Sequence, residues 1–338
     1  MSEPTSYEVP HQSPAMPLAG GQSYRLFILW LAAAFVLGVA GFSAMLWSLE
    51  RMDRLPPPPL TADACIDEKF KFLAEHDIRD VDFIAVGSSV TWRNLDMSAF
   101  RHKGLAQKPL NAAPCYLHIG ETAYYTEFLL GHMKKVKTVL SVVSPRDFEQ
   151  CSSPKDGFFS ATLANAYVFD GLSSFPIYLT NFQPVDFFKQ VLQIKRMRTD
   201  PDYYFTMMMD EYGSGPLHKR FSWLPEPLFQ NMCFSALTEL EKLVNAAGDK
   251  LVVTDFPLQP EWQAKYDPRG DVVTAFEARI RAALKMPSTQ FLRGTEMASD
   301  SLVHADSVHY VWESAVEYSA RLADRIAATP LTAVRDAE

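Results

Sequence analysis

The sequence predicts an α/β protein with a parallel sheet covered by helices on both faces and preceded by one membrane-spanning helix. Three observations support this prediction. Residues 26–49 contain no charged residue. From residue 64 onward, short apolar runs alternate with helical segments, which indicates parallel strands joined by helices. The apolar run at residues 81–86 is followed directly by Gly-Ser-Ser, which is typical of the end of a buried strand in such a sheet.

The N-terminal apolar segment is long enough to cross a bilayer. As a helix, 24 residues extend over ~36 Å, against a hydrocarbon core of ~30 Å. Trp30 and Trp47 lie near its two ends, where interfacial aromatic residues are common. The segment is too long for a typical cleaved signal, so we expect an uncleaved anchor over 25–49, with a buried globular helix as the alternative. Arg25 before the segment, and Arg51 and Arg54 after it, leave the charge bias slightly against a cytoplasmic N-terminus. We set this weak bias aside in favour of the orientation that the chemistry of the domain implies.

The segments before and after the anchor are predicted to be a tail and a spacer. Residues 1–24 are rich in Ser, Pro, Gly and Gln, which predicts a disordered tail. Residues 50–63 form a linker, and the sequence LPPPPL at 55–60 predicts an extended polyproline II spacer that holds the next domain off the bilayer. The domain itself is expected over 64–328, followed by a C-terminal tail at 329–338.

Within the domain, strands and helices are predicted in alternation. Helices are expected at 64–76, 120–134, 236–247 and 311–328, and strands at 81–86, 115–119, 138–143, 250–255 and 289–292. The stretch from about 152 to 232 breaks this pattern and is rich in aromatic residues and Met, so we expect a largely helical insertion over the sheet.

Composition bounds the function. The chain has 338 residues, 48% of them apolar, which is enough to bury a large core. Its formal net charge of −8 argues against a nucleic-acid-binding role, which usually needs a basic face. A neutral or anionic sugar substrate remains compatible with this charge, because a local site can oppose it.

Two short motifs carry the chemistry. Ser89 follows the first strand and Gly87, at a tight turn that can expose a nucleophilic hydroxyl next to backbone amides. Asp306 precedes His309 by three residues, a spacing that lets the carboxylate hold Nδ1–H and leaves Nε2 to accept a proton. Each motif alone is weak, because turns and helix caps use the same residues. A doubly wound sheet would bring them together at its carboxyl edge.

These motifs resemble those of the SGNH (GDSL-like) hydrolase superfamily over residues 64–328. The resemblance implies a three-layer fold in which Ser89 is the nucleophile, His309 the base and Asp306 its orienter, with the Ser89 and Gly120 amides as the oxyanion hole. It is closest to the branch with GSS in place of GDS, which includes the membrane-anchored proteins of teichoic-acid D-alanylation and alginate O-acetylation. The sequence departs from the family after the third strand, where Asn is usual and only Arg146 offers a donor. A surface ion pair is the other interpretation of Arg146.

Two further pairs of residues have competing interpretations. Trp92 and Arg93 could contact substrate or form a solvated first helical turn. Asp300 and His304 form a second Asp–His pair, which lies farther from the start of the last helix. We expect Asp306 and His309, rather than this second pair, to serve the nucleophile.

The resemblance and the anchor together imply an activity. We expect an O-acyltransferase, with acetyl as the expected group, that modifies a surface or exported polysaccharide. An integral membrane acyltransferase would supply the acyl group, and no cofactor is expected. The catalytic domain would face the periplasm from the bacterial inner membrane, since tethering raises its local concentration near a membrane-borne donor. A membrane-anchored carbohydrate esterase and a non-catalytic polymer-binding subunit are the alternatives.

The four cysteines admit two interpretations. Their spacing includes no CxxC and no zinc-like cluster, so no metal site is expected. They form either two disulfides or four buried thiols. An extracytoplasmic location favours disulfides, and we expect the pairs Cys65–Cys115 and Cys151–Cys233.

Overall fold

The computed structural model describes residues 21–151 and 157–328 and divides the chain into two units, Met1–Met52 and Asp53–Glu338. In the first unit, α1 (Gly21–Arg51) is long and apolar enough, from Tyr24 to Arg51, to span a membrane. Residues 21–24, predicted as part of the tail, belong to this helix instead. The rest of that tail and residues 329–338 lie outside the described residues.

The second unit contains a five-stranded parallel sheet with the order β2-β1-β3-β4-β5. Its strands are β1 (Phe83–Ala85), β2 (Pro109–Asn111), β3 (Thr138–Val143), β4 (Lys250–Asp255) and β5 (Gln290–Leu292). The predicted parallel sheet is therefore confirmed, with four strands where the sequence places them.

The second predicted strand, at 115–119, is wrong. Residues 115–118 form a loop in which Tyr116 has a positive φ of 60°, and His118 precedes the next helix. The second strand is the short segment Pro109–Asn111 at the edge of the sheet. Its first residue is a proline, which an edge strand tolerates at that position.

Helices cover both faces of the sheet. Ile84 of β1 packs into one apolar cluster with Phe70 and Leu129, while Phe83 packs into another with Phe100. This alternation places neighbouring side chains of the strand on opposite faces. The helices of the second unit are α2 (Ala64–Glu75), α3 (Ser89–Asn94), α4 (Met97–His102), α5 (Ile119–His132), α6 (Ala161–Val168), α7 (Ser174–Thr180), α8 (Pro184–Thr199), α9 (Cys233–Ala246), α10 (Pro260–Tyr266), α11 (Asp271–Ala283) and α12 (Trp312–Ala328).

The predicted helical insertion is helical only in its first half. Helices α6, α7 and α8 run to Thr199, whereas residues 200–232 form neither helix nor strand. Four prolines and two glycines punctuate this second half, which explains why no helix continues through it. Residues 152–156, also assigned to the insertion, lie outside the described residues.

The proline-rich linker is docked against the domain that follows it, which the sequence did not indicate. The Asn181 side chain donates to Pro59 O at 2.9 Å, Arg198 donates to Leu55 O at 2.9 Å, and the Tyr178 hydroxyl donates to Pro56 O. Residues 56–58 are buried. Their rings offer rigid apolar surface to α7 and α8, so the segment packs against the domain.

Two disulfide bonds join Cys65 to Cys115 and Cys151 to Cys233, with Cα–Cα distances of 5.9 and 5.3 Å. The expected pairs are those observed, and the described residues include no free cysteine. Such bonds fit an oxidising compartment.

The two disulfides should differ in their effect on function. Replacing Cys65 and Cys115 together with Ala should lower the free energy of unfolding by about 2–4 kcal/mol, because the unfolded chain regains the freedom that the cross-link removes. It should also lower activity, since both residues line the cavity described below. Replacing Cys151 and Cys233 should cost comparable stability but less activity. Urea unfolding and Ser89-dependent ester hydrolysis would measure the two effects, and equal losses of activity would contradict this expectation.

Candidate active site

The site lies where the strand order reverses. Strand β1 has β2 on one side and β3 on the other, so the chain leaves β1 toward one edge and returns on the opposite side. Parallel sheets open a crevice at the carboxyl ends of strands at such a point. Ser88 and Ser89 follow β1 there, and a 3₁₀ turn at Pro145–Phe148 follows β3.

A tight turn presents Ser89. Gly87 has a φ of 149°, and a Cβ on it would collide with the Thr91 side chain, so the turn requires glycine. Ser88 caps α3 by accepting a hydrogen bond from Val90 N at 3.1 Å. Thr91 is fully buried and ties the turn to β3, because its hydroxyl donates to Val142 O at 2.8 Å. Ser89 is thereby fixed as the first residue of α3.

The predicted residues Ser89, His309 and Asp306 form one continuous hydrogen-bonded chain. His309 Nε2 lies 3.1 Å from Ser89 Oγ. On the other side of the ring, His309 Nδ1 lies 2.8 Å from Asp306 Oδ2 and 3.0 Å from Oδ1. The histidine therefore stands between hydroxyl and carboxylate, with each ring nitrogen facing one of them.

Asp306 is held as a buried carboxylate. Its Oδ1 also accepts from Val308 N at 2.9 Å and His309 N at 3.0 Å, and its Oδ2 accepts from the Tyr204 hydroxyl at 3.3 Å. Burial raises the pKa of this carboxyl, but the charge of His309 and these hydrogen bonds outweigh burial and lower the pKa overall. Asp306 thus remains ionised where it faces the imidazole.

Asn94 connects the two parts of the chain that carry Ser89 and His309. Its Nδ2 donates to Val90 O at 2.8 Å and to Val308 O at 2.9 Å, and its Oδ1 accepts from Tyr310 N at 2.7 Å. It is fully buried. The sequence gives no sign of this role, because Val308 is 214 residues away.

We expect Asn94→Ala to lower kcat by about 100-fold with a smaller change in KM, because a displacement of about 1 Å at a reacting group can cost that much. The variant loses the hydrogen bonds to Val308 and Tyr310, the residues on either side of His309, whereas the three residues of the hydrogen-bonded chain are unchanged. Steady-state kinetics with a chromogenic ester would test this. Asn245→Ala, which removes an amide from α9, should leave kcat unchanged. A kcat near wild type in a folded Asn94→Ala variant would refute the positioning role.

A cavity of about 550 Å³ opens beside Ser89 and His309, which suits a small organic ligand. Its wall combines cationic, aromatic and sulfur-containing side chains. It includes Cys65, Ser88, Ser89, Arg93, Cys115, Tyr116, His118, Arg146, Asp147, Met197, Tyr204, Met207, Trp223 and His309.

The predicted oxyanion donors lie in different places. As the first residue of α3, Ser89 has a backbone N–H with no carbonyl partner inside its helix. Gly120 is buried in the first turn of α5 and is not among the cavity-lining residues, whereas 115–118 are. Arg146 lines the cavity, but it is paired with Glu149 at 3.3 Å and stacked over the Trp223 ring at 4.7 Å. The Gly120 and Arg146 assignments remain predictions.

Trp92 and Arg93 are both buried, so the interpretation as a solvated helical turn is wrong. The Trp92 indole donates to Gly213 O at 3.0 Å and packs beside the Cys65–Cys115 disulfide, outside the cavity wall. Arg93 lines the cavity, donates to Thr206 O at 2.7 Å, and has its pKa lowered by burial to about 10.

The second Asp–His pair is not assembled. His304 Nε2 hydrogen-bonds Pro257 O at 2.8 Å, beside the carboxyl end of β4, and makes no hydrogen bond to Asp300 in the described structure. Both residues line a separate cavity of about 500 Å³. Among the described residues, no group of three or more His, Cys, Asp or Glu is placed to hold a metal ion.

Asp147 and His118 extend the polar wall of the site, and neither was singled out from the sequence. Asp147 accepts from Ser144 N at 2.6 Å and hydrogen-bonds Ser88, while burial raises its pKa. His118 pairs with Glu121 at 3.2 Å, and this hydrogen bond raises the pKa of the imidazole. Neither residue follows its strand directly, because a turn or loop lies between them. Its distance from the strand in the sequence therefore does not indicate that it lines the site.

No family model matches this chain, and no curated protein matches it in sequence. Function is therefore inferred from the geometry of the site.

Proposed function

We propose that this chain is an SGNH-type serine acyltransferase that transfers an acyl group, with acetyl as the expected group, to hydroxyls of a surface or exported polysaccharide. The observation that carries the proposal is the continuous chain from Ser89 through His309 to Asp306 at the mouth of the cavity. Nucleophilic serine catalysis needs a hydroxyl, a base and a group that orients the base, in this order and within hydrogen-bond reach.

In the first half of the reaction, Ser89 Oγ attacks the carbonyl carbon of the acyl donor. His309 Nε2 takes the hydroxyl proton, and the buried carboxylate of Asp306 stabilises the resulting imidazolium. The Ser89 N–H faces the developing oxyanion. When the tetrahedral intermediate collapses, the bond to the leaving group breaks, and His309 returns the proton to that group. The acyl group is left on Ser89 as an ester.

In the second half, an acceptor hydroxyl takes the place of the leaving group. His309 removes its proton as its oxygen attacks the acyl carbon. Collapse of the second intermediate then breaks the bond to Ser89 Oγ, and His309 returns the proton to this oxygen. A sugar hydroxyl gives a transferred ester, whereas water gives hydrolysis. The stacked and cationic groups on the wall, such as Trp223 with Arg146, suit a sugar acceptor.

Two features support the proposed location. A helix long and apolar enough to span a membrane and two disulfides fit a domain tethered on the oxidising side of a membrane. We place the domain in the periplasm of a bacterium, with an integral membrane acyltransferase as the acyl donor. Tethering serves a transferase, because it concentrates the domain near a membrane-borne donor.

The proposal is tested by trapping the acyl-enzyme. The full chain in detergent is mixed with p-nitrophenyl acetate and quenched in acid, and intact mass and peptide mapping locate the acetyl group. We expect one acetyl on Ser89 and faster release of p-nitrophenol when an oligosaccharide acceptor is added. Acetyl-Ser89 that only water removes would indicate an esterase. No labelling of Ser89 by this ester or by a fluorophosphonate would favour a non-catalytic polymer-binding subunit.

A further inference from the structure

Helix α8 has an apolar stripe on its exposed side. Val185, Phe188 and Leu192 are 66%, 50% and 76% exposed. At 100° per residue they fall within about 60° of one another around the helix. Phe187 and Ile194 are buried on a different side of α8 and hold it against the domain. An ordinary surface helix is polar where it meets water, so this stripe needs a partner.

Basic residues border the stripe. Lys195 lies on one side of it, and Lys189 and Arg196 lie on the other, by the same helical spacing. Each of the three side chains is at least half exposed and forms a surface ion pair, with Asp53, Asp186 and Asp200 respectively. The sequence of α8 contains four basic residues and one acidic residue, Asp186. Apolar side chains flanked by long basic ones are typical of helices that lie in the interface of an anionic bilayer, where the basic heads reach the lipid phosphates.

Helix α8 contacts the residues that directly follow the membrane segment in the sequence. Only Met52 stands between Arg51, the last residue of α1, and Asp53, so these two Cα atoms are at most about 7 Å apart. Asp53 pairs with Lys195 of α8 at 3.7 Å, and Leu55 O accepts from Arg198 of the same helix at 2.9 Å. The segment that directly follows α1 in the chain is therefore bonded to α8 within the second unit.

We propose that the α8 stripe of Val185, Phe188 and Leu192 is a lipid-contact surface that rests on the anionic leaflet from which α1 emerges. The proposal rests on the proposed insertion of α1 in a membrane. The same helix reaches the acyl-transfer site, because Met197 lines the cavity and its carbonyl accepts from Met207 N at 2.6 Å. Lipid contact along α8 would therefore hold the cavity at a fixed height above the bilayer.

A single labelled cysteine tests this surface in the full chain. All four native cysteines are in disulfides, so Leu192→Cys takes an environment-sensitive NBD label selectively. The protein is reconstituted in vesicles of phosphatidylcholine and phosphatidylglycerol with no other protein. We expect a blue-shifted emission that lipids with quenchers on their acyl chains quench several-fold more than at Val316→Cys. Val316 is exposed on α12, whose buried residues pack in a different apolar cluster from Ile194 of α8.

Each outcome decides the proposal. Phe188→Cys gives a second reading if Leu192→Cys does not fold, and flotation of the vesicles reports whether α1 is inserted. Emission at both positions that matches Val316→Cys overturns the proposal, as does a chain that fails to float. A blue shift that appears only when an integral membrane acyltransferase is added overturns it in favour of a protein partner. Ester hydrolysis by Ser89, measured on the same samples, separates failure of this surface from failure of the proposed activity.

Discussion

Replacing Ser89 with Ala is expected to lower kcat for ester hydrolysis or acyl transfer by at least about 10⁴-fold. Loss of the nucleophile of such a triad has cost on the order of 10⁶-fold in a serine protease, with the remaining rate due to binding and oxyanion contacts. The variant should bind substrate and remain folded, because Ser89 Oγ makes its hydrogen bond to His309 alone among the described residues. Burst kinetics with p-nitrophenyl acetate would measure the change.

The neighbouring serine provides a matched control. Ser88 also lines the cavity, but its hydroxyl accepts from Val90 N and contacts Asp147, not His309. Ser88→Ala should cost about 1 kcal/mol of stability through the lost helix cap, and should keep most of the activity. If Ser88→Ala is inactive while Ser89→Ala retains wild-type kcat, the nucleophile has been misassigned. If both retain it, the chain is not a serine enzyme.

Chain order around the predicted sheet was what suggested that Ser89 and His309 meet, since neither motif was persuasive by itself. A parallel sheet forces the residue after β1 and the segment beside β4 toward the same edge, so the positions of Ser89 and His309 follow from topology. The three-residue spacing between Asp306 and His309 then suggested Asp306 as the partner of the imidazole. Tyr204 and Asn94 lacked such a signal, because their contacts span 102 and 214 residues and depend on how the chain packs.

The predicted strand at 115–119 failed because apolar composition does not specify conformation. The segment Cys115–Ile119 is apolar enough for a strand, but Cys115 is bonded to Cys65 and Tyr116 has a positive φ, which together impose a loop. The prolines of the linker fix extended backbone, as expected, but the sequence does not show whether their rings face water or protein. The structure buries them against α7 and α8.

Replacing Asp306 with Asn should lower kcat by about 10⁴-fold while leaving the fold intact. The amide oxygen can still accept from Val308 N and His309 N, so the turn keeps its geometry. The amide NH₂ then faces His309 Nδ1 and donates to it, which forces the ring proton onto Nε2. A protonated Nε2 cannot accept the proton of Ser89 Oγ, so nucleophilic attack loses its base.

The other buried carboxylate of the cavity separates this tautomer effect from a general loss of negative charge. Asp147 is also buried and lines the same cavity, but it contacts Ser88 and Ser144 rather than His309. Asp147→Asn should therefore lower kcat by about 10- to 150-fold at most, far less than Asp306→Asn, since one hydrogen bond to a charged group contributes about 1.5–3 kcal/mol. Labelling of Ser89 by a fluorophosphonate should fall in Asp306→Asn and persist in Asp147→Asn. Equal labelling of both variants would show that His309 acts without Asp306, because the rate of labelling depends on the base that Asp306 orients.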